Sequence, residues 1–140
     1  MDQLILVLKS IRVGQWIKNV VVFAPIIFSG FLLVPGYGGR VGWAFIIFCL
    51  LSSAIYVFND LMDISSDRLH PFKKNRPIAS GAIPMELAVF LFILLAGVAL
   101  WLGMMMSKFF LEAMVTYFSI NIQYYLAQAG IMALRRVPRA

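Results

Sequence analysis

The sequence predicts an all-α membrane protein, a polytopic bundle of about four transmembrane helices. Of its 140 residues, 62% are hydrophobic and only 13% are charged, which is too little polarity to cover a water-soluble surface. Crossing a bilayer takes ~20 mainly apolar residues, and four separate stretches approach or meet that length. Within a single domain covering residues 1–140, we place the spans at about 18–35, 42–60, 84–104 and 109–128.

The segment before the first span predicts an amphipathic helix that lies on the membrane surface and extends to Lys18. Its apolar residues recur at helical spacing among polar ones, at Leu4, Ile5, Leu8, Ile11 and Val13. The first span contains Pro25, which is expected to kink or locally unwind a helix. The Gly- and Pro-rich residues 34–40 then form a short turn into the second span.

The second and third spans are connected by the only long polar stretch, residues 59–84. The third and fourth spans are instead joined by a tight hairpin at Ser107 and Lys108. Long loops beside a rigid scaffold tend to carry function, so a site is expected in the polar stretch. The single cysteine, Cys49, lies within the second span and has no second cysteine with which to form a disulfide or a thiolate metal site.

The cations are distributed unevenly along the chain. Ten of the twelve Lys and Arg residues precede the first span, follow the second or follow the fourth, which leaves only Arg40 and Lys108 on the other side. By the positive-inside rule, the N-terminus and the acidic loop are cytoplasmic, in an integral protein of the inner (plasma) membrane. A net charge of +6 arranged in this way favours phosphorylated ligands and the membrane as partners, not nucleic acid.

Three carboxylates follow the second span at positions i, i+3 and i+7: Asp60, Asp63 and Asp67. If the second helix continues beyond Phe58, they fall on one narrow face, with Asn59 at its edge. Carboxylates this close repel one another unless a cation lies among them, and Mg²⁺ suits a site made of oxygen ligands alone. The sequence therefore predicts a magnesium site here.

Four cations follow the acids directly, at Arg68, Lys73, Lys74 and Arg76. Arginine binds phosphate oxygens with a planar fork and lysine as a mobile point charge, so acids and cations together predict a diphosphate site. A plainer interpretation is a solvated loop whose cations set the topology. It explains the cations, but not three acids at the end of an intramembrane helix, where ionisable groups are costly. His70 is predicted to shape the loop by hydrogen bonding, not to act as a base.

The stretch NDLMDISSD, Asn59 to Asp67, resembles the first aspartate-rich motif, N-D-x-x-D-x-x-x-D, of the UbiA-type intramembrane prenyltransferases. The longer string NDLMDISSDRLHPFKKNRPIASG, together with RVGQWIKNVVVFAPIIFSG from Arg12 to Gly30, is most similar to one branch, the polyprenyl-phosphate phosphoribosyltransferases. The resemblance covers about residues 10–120. It implies an all-helical bundle around a cavity that opens to the lipid and to the cytoplasm.

The resemblance also implies roles for individual residues. The catalytic ligands that hold Mg²⁺ on a diphosphate would be Asp60, Asp63 and Asp67, and Asn59 would orient them. The substrate phosphates would be bound by Lys18, Lys73, Lys74 and Arg76. In the phosphoribosyl branch the diphosphate belongs to phosphoribosyl pyrophosphate, and a polyprenyl phosphate lipid entering from the membrane attacks the anomeric carbon.

Two alternatives stay open. In the commoner branch of the family the diphosphate belongs to a prenyl donor, a prenyl diphosphate, and an aromatic ring attacks it. In an interpretation from a different class, the chain is a small non-catalytic membrane scaffold or subunit, whose acids and cations only set the topology or contact a partner. Protection of the loop by Mg²⁺ would distinguish an enzyme from such a scaffold.

The sequence departs from the family pattern in three respects. The family's bundle has roughly nine spans, and at ~20 residues each this chain holds fewer than half of them. After Asp67 the only acids are Glu86 and Glu112, so the family's second aspartate-rich motif is absent. From about residue 126 the sequence LAQAGIMALRRVPRA no longer resembles the family. These departures predict an N-terminal portion of a UbiA-type domain that is truncated or ends in a shifted reading frame, and that is inactive alone.

Overall fold

The computed structural model describes residues 2–135, which form helices joined by short turns and one longer loop. The α-helices are α1 Gln3–Ser10, α2 Ala24–Phe28, α3 Tyr37–Met62, α4 Ile64–Leu69, α5 Met85–Met106 and α6 Lys108–Arg135. Three 3₁₀ helices lie among them, at Val13–Phe23, Phe31–Leu33 and Lys73–Asn75. The predicted all-α fold class is confirmed. The end of the predicted tail, with Arg136 and Arg139, lies outside the described residues.

Helix α3 is the centre of the bundle. It packs most extensively against α5, and it also contacts the first 3₁₀ helix and α6. Half of the most apolar segment of α3 is buried inside the protein, compared with 22% for α5. Large apolar side chains of α5, such as Phe90, Ile93 and Trp101, remain exposed. An exposed apolar surface of this kind is typical of helices that contact lipid or further helices.

Within the described residues, two clusters of buried apolar side chains lie at different heights along α3. One cluster joins α3 to α5 and α6 and consists of Ile47, Leu51, Ala99 and Met114. The other joins the end of α3 to the polar loop and to the start of α5, and consists of Val57, Ile78, Ile83 and Ala88. Because Ile78 and Ile83 belong to the loop, apolar burial anchors the segment that carries the charged residues.

The number of spans differs from the prediction. Helices α3 and α5 are long and apolar enough to cross a membrane, and they correspond to the predicted second and third spans. The predicted first span, 18–35, is divided among a 3₁₀ helix, α2 and a second 3₁₀ helix. Only α1 combined with Val13–Phe28, across a bend of 41°, gives a third candidate. Helix α6 has sufficient length but too many polar residues, so the described residues contain two or three candidate spans instead of four.

Side-chain hydrogen bonds hold the first 3₁₀ helix against α3. Trp16 Nε1 donates to Ser53 Oγ at 3.0 Å, and Asn19 Nδ2 donates to Ser52 Oγ at 3.0 Å. Ser53 Oγ in turn donates to the carbonyl oxygen of Ile11 at 2.7 Å. A 3₁₀ segment of 11 residues is unusually long, and these bonds to a neighbouring helix compensate for its poorer internal geometry.

The amphipathic N-terminal helix is shorter than predicted. Helix α1 ends at Ser10, and Lys18 lies within the following 3₁₀ helix. Arg12 separates the two helices in a left-handed backbone conformation, with φ of 52° and ψ of 48°. This conformation is uncommon for any residue other than glycine, so the tertiary contacts of Arg12 must hold it.

Candidate functional site

The three predicted acids lie where α3 ends. Asp60 is in the last turn of α3, Asp63 separates α3 from α4, and Asp67 lies within α4. The backbone N–H of Asp67 donates to the carbonyl oxygen of Asp63 at 2.8 Å, so the two helices follow each other closely. The prediction of one uninterrupted helical face was wrong, because the chain leaves helical geometry at Asp63.

Two of the acids are buried and share one arginine. The exposed fraction is 3% for Asp60 and 1% for Asp67. Arg76 Nη1 donates to Asp60 Oδ1 at 3.1 Å and to Asp67 Oδ2 at 2.7 Å, and Lys73 Nζ lies 4.0 Å from Asp67 Oδ1. Buried carboxylates need such partners because an unpaired charge in the interior is costly. Arg76, predicted to bind substrate phosphate, here binds the acids.

Arg12 is the second arginine at the site, and its sequence position predicted no role for it. Its Nη2 donates to Asp60 Oδ1, and its guanidinium carbon lies 4.8 Å from the centre of the Tyr56 ring, in a cation–π contact. Because 48 residues separate Arg12 from Asp60, no local spacing links them. The only indication in the sequence was that Arg12 is the first residue of RVGQWIKNVVVFAPIIFSG, one of the two stretches that resemble the family.

Asp63 and Asn59 are less completely satisfied. Asp63 is half-buried and, within residues 2–135, it takes no part in the ion pairs of the other two acids. Burial raises the pKa of the Asp63 carboxyl, the charge of Asp67 raises it further, and Lys73 and Arg76 oppose both effects. Asn59 Oδ1 is buried and has no hydrogen-bond partner among the described residues. Such a carbonyl oxygen is available to a cation.

The other cations predicted to bind phosphate are exposed. Lys73 and Lys74 lie in the short 3₁₀ helix just before Arg76, so the loop brings them to the same end of the bundle as the acids. Lys18 is exposed on the first 3₁₀ helix. In the described part of the chain, the cations that contact the acids are Arg12, Lys73 and Arg76, and Lys18 is not among them.

Two side chains fix the path of the loop. His70 Nδ1 accepts hydrogen bonds from the backbone N–H groups of Phe72 at 3.2 Å and Lys73 at 3.3 Å, which confirms the predicted loop-shaping role. Arg68 Nε donates to the carbonyl oxygen of Ala79 at 3.0 Å and so ties α4 to the far side of the loop. The loop is therefore closed on itself and presents its lysines outward.

The oxygen atoms at the site are of the kind that bind magnesium, although the side chains do not surround a common point. Within residues 2–135 no group of three or more Asp, Glu, His or Cys side chains is close enough together to hold a metal ion. Arg76 contacts two of the three acids instead. Three carboxylates and the unpartnered oxygen of Asn59 are nevertheless the hard oxygen ligands that Mg²⁺ prefers, so the residues fit this ion by chemistry.

Comparison with known sequences identifies the family. The profile of the UbiA prenyltransferase family matches residues 19–137. The chain belongs to this family. The match confirms the resemblance inferred from the acidic motif, and a UbiA protein is a polytopic helical membrane protein, as the bundle indicates. The matched range extends to residue 137 and so includes the tail. The predicted departure of the tail from the family sequence, from about residue 126, stays a prediction.

Individual relatives agree with the predicted branch. The chain is 36% identical over 121 residues to the decaprenyl-phosphate phosphoribosyltransferase of Mycolicibacterium smegmatis, covering 84% of this chain and 38% of the relative. The enzyme of the same name from Corynebacterium glutamicum is 41% identical over 85 residues, covering 58% and 25%. Nodulation protein NoeC of Azorhizobium caulinodans is 41% identical over 76 residues, covering 51% and 23%. The chain thus spans less than half the length of these relatives.

Proposed function

We propose that the chain carries part of the site at which a 5-phosphoribosyl group is transferred from phosphoribosyl pyrophosphate to a polyprenyl phosphate, with Mg²⁺ as cofactor. The observation that carries the proposal is the pair of buried acids, Asp60 and Asp67, held by arginines where a membrane-spanning helix ends. Such groups are costly in an apolar bundle and mark a site for charged ligands. The names of the mycobacterial and corynebacterial relatives support the phosphoribosyl substrate.

The proposed site residues form two groups, one that would bind the metal ion and one that would bind the diphosphate. Asn59, Asp60, Asp63 and Asp67 would hold Mg²⁺, which neutralises charge on the diphosphate as it leaves. The phosphate oxygens would be bound by Lys18, Lys73, Lys74 and Arg76. The two exposed lysines of the loop reach a water-borne donor, while the apolar helices behind them suit the chain of a lipid acceptor.

The proposed reaction is a substitution at the anomeric carbon. A phosphate oxygen of the lipid forms a bond to that carbon, the bond from the carbon to the diphosphate breaks, and its electron pair leaves with the diphosphate. Cations fixed before the reaction stabilise the charge that develops on the leaving group, and exclusion of water by the bundle strengthens their effect. On this proposal the N-terminus and the acidic loop are at the cytoplasmic face of the plasma membrane, where the water-soluble donor is available.

Protection of the loop from trypsin tests the proposal. Lys73 and Lys74 are exposed cleavage sites beside the acids, and Lys108, with 86% of its side chain exposed, is an internal control at the other end of the bundle. The chain in nanodiscs is digested with Mg²⁺ and either phosphoribosyl pyrophosphate or a prenyl diphosphate. We expect phosphoribosyl pyrophosphate to protect the loop at a roughly tenfold lower concentration, without changing cleavage after Lys108.

Two variants make the result specific. Asp63→Asn removes a proposed metal ligand and is expected to abolish protection, whereas Glu86→Gln removes an exposed acid at the same end of the bundle and is expected to retain it. Stronger protection by the prenyl diphosphate would support the aromatic prenyltransferase alternative. Lack of protection by both ligands would support the scaffold alternative and overturn the proposal.

A further inference from the structure

Two of the three acids of the site, Asp60 and Asp67, already have internal counter-ions. A single nitrogen of Arg76 contacts both Asp60 and Asp67, and Arg12 contacts the same oxygen of Asp60. The arginine side chains are 24% and 26% exposed, while those of the two acids are 4% and 2% exposed. Two buried negative charges are therefore balanced by two arginines, and the charge of the third, half-buried acid, Asp63, is opposed mainly by Lys73.

This balance works against the entry of a divalent cation alone. Adding Mg²⁺ to acids that are already neutralised leaves an excess of positive charge in a poorly solvated place. The excess disappears if a diphosphate enters with the ion, because the phosphate oxygens then become partners for the displaced arginine. The structure thus favours binding of metal and diphosphate together over binding of the free metal.

The two arginines differ in how firmly they are held. Arg12 follows Ile11, whose carbonyl oxygen accepts a 2.7 Å hydrogen bond from Ser53, and its guanidinium also lies on the ring of Tyr56. Arg76 lies in the polar loop, in extended backbone directly after a three-residue 3₁₀ helix. A rearrangement of Arg76 therefore involves only the loop, whereas a rearrangement of Arg12 would disturb the contact between the first 3₁₀ helix and α3.

We propose that Arg76 is an exchangeable internal counter-ion, and that Arg12 is a positioning residue that keeps Asp60 in place when Arg76 leaves. The consequence is a site that binds Mg²⁺ weakly alone and tightly with a diphosphate, the arginine moving from the acids to the phosphates. This inference rests on the proposed function only for the presence of a diphosphate, which both candidate donors contain.

The first test is the wild-type chain itself. In nanodiscs, Mg²⁺ is titrated with and without inorganic pyrophosphate, at matched free Mg²⁺, and the readouts are tryptic protection at Lys73 and Lys74 and the melting temperature. We expect pyrophosphate to raise the apparent affinity for Mg²⁺ at least about tenfold, within the usual range of coupling between ligands. Equal affinity in both titrations, or no effect of either ligand, would overturn the inference without any variant.

The second test removes the counter-ion. Arg76→Gln is expected to be destabilised, to regain much of its melting temperature with Mg²⁺ alone, and to lose most of the pyrophosphate enhancement. Arg76→Lys retains the charge and is expected to retain part of the enhancement. Arg68→Gln removes an equal charge from α4, directly before the loop, where the Arg68 Nε donates to a carbonyl oxygen and not to an acid. If Arg68→Gln gains the same response to Mg²⁺, net charge explains the effect and the inference fails.

Failure of this inference is distinguishable from failure of the proposed function. Pyrophosphate carries no ribosyl or prenyl group, so its coupling with Mg²⁺ does not depend on the identity of the donor. Protection by phosphoribosyl pyrophosphate with no difference between the two Mg²⁺ titrations would retain the proposed function and reject the role of Arg76. Strong coupling with preference for a prenyl diphosphate would do the reverse.

Discussion

The two ends of the bundle both carry charged side chains, but they hold them in different ways. Where α3 ends, Asp60 and Asp67 are buried and are paired with arginines from distant parts of the chain. At the α5–α6 hairpin, Lys108 and Glu112 are four residues apart, and Lys108 Nζ lies 3.9 Å from Glu112 Oε1. Their side chains are 86% and 58% exposed. The first pairs hold the tertiary structure together, whereas the second is a local contact in solvent.

The comparison shows that burial, not the number of ion pairs, determines how much each end depends on charge. At the hairpin end the fold relies on close packing instead, with Ala99 and Met114 fully buried against α3. A substitution that removes charge should therefore damage one end, and a substitution that adds volume should damage the other. Four predictions test this difference, in order of decreasing effect.

The largest effect is expected from removing the shared counter-ion. Arg76→Met should lower the free energy of unfolding by about 3–5 kcal/mol, because it leaves buried carboxylates without their partner. The measurement is denaturation in detergent micelles, with the exposed Arg40→Met as control. Adding Asp67→Asn to Arg76→Met should restore part of the loss. Equal small losses in the Arg76 and Arg40 variants would remove the distinction between the two ends.

The next effect concerns the hydrogen bonds that dock the N-terminal segment. Ser53→Ala should cost about 1–3 kcal/mol, because the Trp16 indole N–H and the Ile11 carbonyl lose their partner. Hydrogen exchange in the 3₁₀ helix Val13–Phe23 should also become faster. Ser29→Ala is the control and should leave that exchange unchanged, because the Ser29 hydroxyl donates to the carbonyl oxygen of the nearby Ile26.

A smaller effect is expected from added volume at the hairpin end. A Cβ at Gly103 would lie 2.5 Å from Met114 Sδ, so Gly103→Ala forces the methionine to move within a buried cluster. We expect a loss of about 1–2 kcal/mol. In the described part of the chain, a Cβ at Gly97 on the same helix meets no atom within 4 Å, so Gly97→Ala should be stabilising by ~0.5–1 kcal/mol. Stabilisation by both variants would show that packing at Gly103 is loose.

The smallest effect is expected from the exposed pair itself. Lys108→Gln should change the free energy of unfolding by less than ~0.5 kcal/mol, because solvent and salt screen an ion pair between exposed side chains. The effect should also disappear as salt is raised. A loss comparable with that of Arg76→Met would contradict the assignment of Lys108 to a solvated surface.

The sequence predicted the parts of the fold that depend on composition. The all-α class and the spans that became α3 and α5 follow from long apolar runs, and the acidic motif lies at the end of α3, where the sequence predicted it. The first predicted span failed because hydropathy does not distinguish an α-helix from a 3₁₀ helix. The 3₁₀ helix Val13–Phe23 instead occurs together with hydrogen bonds from Trp16 and Asn19 to serines more than 30 residues away along the chain.

The partners of the acids were beyond local sequence reasoning for a similar reason. Spacing placed the three carboxylates near one another, but it did not show that Asp63 interrupts the helix or that the other two are buried. The roles of Arg12 and Arg76 depend on tertiary contacts across 48 and 16 residues of chain. The ligands of Mg²⁺ and of the phosphates stay predictions that the proposed experiments address.

The left-handed backbone of Arg12 affects how any substitution at this position is interpreted. A residue with a side chain is penalised in this conformation by roughly 1–2 kcal/mol, a cost that glycine avoids. Arg12→Gly would therefore remove an ion pair and relieve backbone strain at the same time, and the two contributions would partly cancel. Arg12→Gln removes the guanidinium but retains the strained backbone. The difference in stability between these two variants therefore separates the contribution of the guanidinium contacts from the cost of the left-handed backbone.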